Sequence, residues 1–129
     1  MSNSLLIRTA ARWQIDFDLA VEVLARDVRC IYCSREFSFA GPRASFPSWE
    51  HIVNDLTIVN AQNIALCCVG CNASKGRKAL EAWLESAYCK ERGITLSSMA
   101  PIATQALTEV RGAVNDCSRE GERGLAPLS

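Results

Sequence analysis

At 129 residues, with 49% of them apolar, the chain fits one domain with a modest core. Fourteen basic and fourteen acidic side chains give zero formal charge, which excludes a protein held on nucleic acid by global charge; such binding would need a local basic face. No apolar run approaches the roughly 18 residues that span a bilayer, and the first residues lack the apolar stretch and cleavage site of a secretory signal.

Residues about 10–27 read as an amphipathic helix. Trp13, Phe17, Val21 and Leu24 recur at helical spacing with Ala20 beside them, a stripe expected in the core. Cys30-Ile-Tyr-Cys33 follows, and Arg35 to Phe39 alternates like a short strand. Residues 40–48, with Gly41-Pro42 and Pro47, read as loop. Trp49 to Val53 is a short strand with His51 near its middle, Asn54-Asp55 a turn, and Leu56 to Val59 a second short strand. Ile64-Ala-Leu leads into Cys68-Val-Gly-Cys71, and the chain turns helical from Asn72. A helix over about 80–90 carries Leu80, Trp83, Leu84 and Ala87 on one face and ends at Gly93. Ser97 or Ser98 caps a further helix with Pro101 early in it and Ile102, Ala106, Leu107, Val110 and Val114 on its apolar side. Glycine and charge mark the end of the chain as a flexible tail. The elements together read as a small α+β fold.

Seven cysteines and one histidine are the informative residues. Two residues between cysteines let one tight turn aim both sulfurs at one metal, so Cys30, Cys33, Cys68 and Cys71 make a closed structural zinc site. Cys67-x-x-x-Cys71 is sterically feasible, but Cys68 matches the first pair. The alternative is a redox dithiol or buried free thiols. A reducing cytoplasm would leave Cys67, Cys89 and Cys117 free. The 34 residues between Cys33 and Cys68 exceed an ordinary four-cysteine spacer, so the segment between the pairs has its own task.

His51 lies in that segment after Glu50 and is the natural general base near neutral pH. On a strand Glu50 and His51 point to opposite faces, so a direct contact between them is not assured. Glu50 could ligate a hard divalent cation. Asn63 reads by default as a polar loop residue. Asn72, beside Cys71, could cap a helix or offer its amide oxygen to a metal. Lys75, Arg77 and Lys78 form a basic cluster suited to phosphate contact or to a solvated face.

The stretch Cys30-x-x-Cys33, Trp-Glu50-His51-Ile-Val, Asn63-Ile-Ala-Leu and Cys68-x-x-Cys71-Asn72-x-x-Lys75-Gly76 resembles the HNH endonuclease family. The resemblance covers about residues 28–78. It implies a zinc-stapled ββα-metal core flanked by helices over about 10–27 and 79–115, within one nuclease domain of residues 1–118 and a tail of 119–129. It implies that His51 activates water and that Asn63 holds the loop and orients the His51 ring. Glu50 and Asn72 would ligate the catalytic cation, making this an HNN variant. Glu50 where Asp is common, and Asn72 where His is common, push the preference toward Mg²⁺ or Mn²⁺. The implied partner is double-stranded DNA, in a prokaryotic cell or phage-infected host, with a homodimer or partner protein supplying specificity. The reading from another class is a catalytically inactive zinc-stapled nucleic-acid-binding or interaction module; a third is a thiol-redox protein.

Overall fold

The computed structural model describes residues 2–107. The N-terminal part is two short helices, α1 (Ser2–Ala10) and α2 (Phe17–Arg26), with a 3-10 turn over Ala11–Trp13 between them. Gln14 adopts a left-handed conformation (φ 64°), which breaks the helix expected over 10–27. Asp16 restarts it, accepting a hydrogen bond from the Leu19 amide at 2.8 Å. The break also turns part of the expected stripe outward. Trp13, Phe17 and Val21 are exposed, whereas Ala20 is buried as expected, Leu24 is half-buried against the core and Val23 is buried beside them.

Two strands, β1 (Pro47–His51) and β2 (Ile64–Cys68), pair antiparallel, with Trp49 opposite Leu66 and His51 opposite Ile64. The alternation of strand residues splits the interior in two. Trp49, Ile64 and Leu66 pack with Leu6, Ala10, Ile15, Ala20 and Val23 of the N-terminal helices. Ala65 and Cys67 pack on the other side with Tyr32, Trp83, Met99 and Leu107. The Trp49 indole N–H donates to the Leu6 carbonyl at 2.8 Å, fixing α1 to the sheet. At the outer edge of β2 the buried Asp27 carboxylate accepts from the Leu66 amide at 3.0 Å and pairs with Arg26. The Ile31 amide donates to the Leu66 carbonyl at 3.3 Å, so this edge is covered.

β2 runs directly into α3 (Val69–Lys75), giving a β-β-α unit. The helix begins at Val69, earlier than expected, because the Cys68 sulfur caps it by accepting from the Cys71 amide. Arg35 to Phe39 forms only a single bridge, Glu36 with Arg29. Leu56 to Val59 is loop rather than strand. The expected helix over 80–90 is divided into α4 (Leu80–Leu84) and α5 (Ala87–Arg92), because Ser86 caps a new start by accepting from the Cys89 amide. Gly93 does end α5, in the left-handed conformation that only glycine adopts without cost. A last helix begins at Pro101 and is described through Leu107. Val110, Val114, Cys117 and the expected tail lie outside the described residues. No helix among the described residues is long and apolar enough to cross a membrane.

Candidate metal centre and histidine site

The four cysteines converge. The sulfurs of Cys30, Cys33, Cys68 and Cys71 all lie within 4.8 Å of one another, and Cys33 and Cys68 are 3.8 Å apart. Sulfurs placed tetrahedrally about 2.3 Å from a zinc ion would be about 3.8 Å apart, so the cluster fits that ion. The two turns are built alike. The Cys33 amide donates to the Cys30 sulfur at 3.5 Å and the Cys71 amide to the Cys68 sulfur at 3.4 Å. The Tyr88 hydroxyl donates to the Cys71 sulfur at 3.4 Å. These donors stabilise thiolate charge.

Crowding makes the thiols compete for protons. Hydrogen bonding from Cys30 leads the effects that lower Cys33, and it lowers Cys68 to about 6. Cys33 leads those that raise Cys30, and Cys30 those that raise Cys71. A divalent cation removes that competition by replacing the protons. Cys67 is not in the cluster. Its sulfur lies 3.9 Å from the Ser48 hydroxyl, and burial raises its pKa. The match of Cys68 to the first pair was therefore the correct guide to the ligand set.

The strand places Glu50 and His51 in different surroundings. The Glu50 carboxylate is buried, and its Oε2 accepts from the Tyr32 hydroxyl at 2.6 Å and meets the Lys75 ammonium at 3.0 Å. Lys75 is fully buried and also donates to Asn54 Oδ1 at 3.3 Å. Burial raises the Glu50 pKa, and Lys75 and Tyr32 oppose that rise. Lys75 is thus an interior counter-ion, whereas Arg77 and Lys78 are exposed just beyond α3. Charge alone groups the three. The spacing held a finer signal: Lys75 is four residues after Cys71, on the face of α3 that must point at the metal. Removing one member of a buried pair strands the other charge. Lys75→Met is expected to cost about 3–5 kcal/mol in urea unfolding, with much of the loss restored when Glu50→Gln is added.

His51 is also buried, and its Nε2 is the one buried side-chain nitrogen or oxygen among the described residues without a hydrogen bond. Its ring meets the Trp13 indole edge-on, with centroids 6.1 Å apart. Burial lowers its pKa below the usual 6.5, and the Lys75 charge lowers it further against the pull of Asp55. The imidazole is therefore neutral at pH 7.

Asn63 ties the connection between the strands. Its Oδ1 accepts from the Val53 amide at 2.7 Å, and its Nδ2 donates to the carbonyls of Val53 and Ile58 at 3.2 and 3.0 Å. All three bonds go to backbone, and none reaches the His51 ring. Asn72 lies within α3, where its Nδ2 donates to the Ser48 hydroxyl and the Trp49 carbonyl at 3.0 and 3.1 Å. It clamps α3 to β1. Tyr32, Asn54 and Trp13 join the site although the sequence marks Trp13 only as core and Asn54 only as turn, because nothing local marks an aromatic or amide as the partner of a distant residue.

Comparison with protein-family models, with curated proteins and with solved structures finds no match to this chain.

Proposed function

We propose that this chain is a zinc-stapled endonuclease of the HNH type, cutting phosphodiester bonds in DNA. The observation that carries the reading is the unpartnered, neutral Nε2 of the only histidine. A buried nitrogen without a partner costs stability. It is explained if that nitrogen takes a proton from an attacking water. Zinc on Cys30, Cys33, Cys68 and Cys71 would have a closed sphere and tie the turn over residues 30–33 to the junction of β2 with α3. A reducing compartment such as the cytoplasm keeps these thiols available.

Glu50 and Asn72 are the proposed ligands of a catalytic Mg²⁺ or Mn²⁺. Glu50 Oε1 and Asn72 Oδ1 carry no hydrogen bond among the described residues, so each can offer a hard oxygen donor. When bound, such a cation would stabilise charge on the phosphate and on the departing oxygen. Asn63 holds the loop that follows His51, and the exposed Arg77 and Lys78 are the proposed phosphate contacts. One such site cuts one strand, so a double-strand break would need a dimer or two visits.

The test is nicking of supercoiled plasmid by the zinc-loaded protein with added Mg²⁺ or Mn²⁺. The low histidine pKa sets the sign of the pH dependence. kcat/KM should rise with pH through a value below 6.5 and be flat at neutrality. The same shift contributes stability that is complete above 6.5, where the unfolded histidine is neutral, and that is lost as pH falls through the folded value. An acid limb centred above 6.5 would remove His51 as the base.

One observation favours a second reading, an inactive nucleic-acid-binding or interaction module. Lys75 already neutralises Glu50, which weakens its attraction for a cation. Calorimetric titration of the zinc-loaded protein with Mn²⁺ separates the two. No second site, together with an intact plasmid, favours the module.

A further inference from the structure

A cleft of about 350 Å³ opens between α1, the turn that follows it and the start of β1. Arg12, Trp13, Arg43, Ser48 and Asn72 are among its lining residues, and no acidic side chain is. Arg12 and Arg43 are exposed and form no ion pair with any described residue. The Trp13 indole is 45% exposed at the cleft while its ring touches His51. The cleft therefore joins two cations without an ion pair among the described residues, a half-open aromatic surface, the proposed ligand Asn72 and a ring that contacts the proposed base.

We infer that this cleft takes a nucleic-acid strand with one base stacked on Trp13 and its flanking phosphates on Arg12 and Arg43. Charge selects the occupant: a strand brings phosphates to both arginines and a flat ring to the indole. Strandedness follows from geometry. A paired base is covered on both faces by its neighbours and has none to offer the indole, so the nucleotide beside the scissile bond is unpaired or flipped out. The preference for unpaired substrate rests on the nuclease reading for its cleavage step; the binding mode does not.

The experiment uses the full zinc-loaded chain without added Mg²⁺ or Mn²⁺, and fluorescence anisotropy on three labelled DNA probes. These are a single strand of about 12 nucleotides, its matched duplex, and that duplex carrying one bulged base. The single strand and the bulge should bind more tightly than the matched duplex. Trp13→Ala should weaken single-strand binding roughly tenfold, and Trp13→Phe should keep most of it. Arg12→Ala and Arg43→Ala should each reduce the slope of log affinity against log salt by about 0.7. Trp13 is half exposed, so zinc content and thermal midpoint should hold in these variants. Equal binding of all three probes, unchanged by Trp13→Ala, overturns the assignment, as does a salt slope carried by Arg77 and Lys78 alone. Plasmid nicking that needs His51, beside such a result, would leave the nuclease reading standing without the cleft. Trp13-dependent binding with no cleavage in any metal would keep the cleft and remove the nuclease.

Discussion

Stripping zinc, or replacing Cys71 by serine, is expected to unfold the protein rather than loosen one end of it. The four sulfurs come from two segments far apart in the chain, the turn over residues 30–33 and the junction of β2 with α3, and the ion would add a four-point link to the Ile31–Leu66 backbone hydrogen bond between them. Structural zinc in small domains supplies roughly 10–16 kcal/mol of apparent binding energy at neutral pH, comparable to or larger than the whole stability of a domain this size. Without the ion the thiols of Cys30 and Cys71 hold their protons, and three buried sulfurs and the half-buried Cys33 are left crowded together. The Cys68 cap on α3 and the Tyr88 contact would weaken with them. The measurement is thermal unfolding with and without a strong chelator, alongside metal content. One zinc per chain, with a collapse of the transition on chelation, is the expected outcome. A chelated protein that melts unchanged would mean the cysteines are free thiols. Cys67→Ser is the control: that sulfur lies outside the cluster, so zinc content should stay at one.

His51→Ala should have the largest effect on activity. A positioned general base contributes roughly 100- to 10,000-fold, and the chain has no second histidine to replace it. Zinc content should be unchanged, because the ring faces Trp13 and is not in the cysteine cluster. Stability should fall modestly, because losing a buried nitrogen without a hydrogen bond only partly offsets the lost packing of the ring against Trp13. Loss of nicking in protein that still folds and holds its zinc is therefore the signature of a functional rather than an architectural histidine. Nicking retained within a few fold would remove His51 from the reaction. Asn63→Ala should differ: three backbone hydrogen bonds go with it, so activity and stability fall together.

The four-cysteine cluster was legible because each C-x-x-C turn aims two sulfurs at one point, and two matched pairs imply a shared ion. Only the fold brings the four sulfurs within 4.8 Å of one another and leaves Cys67 out. The stop at Gly93 and the place of Pro101 early in the last helix were legible because one residue decides each. The cap expected at Ser97 or Ser98 was not, since both lie in the turn before that helix, where the Ser98 hydroxyl bonds Thr95 and Gly93. The Glu50–His51 alternation on a strand was equally readable, since period two follows from the backbone. The helix expected over 10–27 was not, because Gln14 in a left-handed turn is a choice that local propensity does not announce. That one residue moved Trp13 from the expected core to a cleft.

By itself the sequence determined the two matched cysteine pairs, the small α+β class and the isolation of one histidine between the cysteine pairs. Tertiary structure alone decided what each polar side chain meets. It buried Lys75 against Glu50 and Tyr32, spent Asn63 on loop carbonyls and an amide, and set Trp13 against His51. The physical reason is range. Ligand spacing and helix caps are settled within a few residues, whereas a buried charge or an unpartnered nitrogen takes its meaning from groups dozens of residues away.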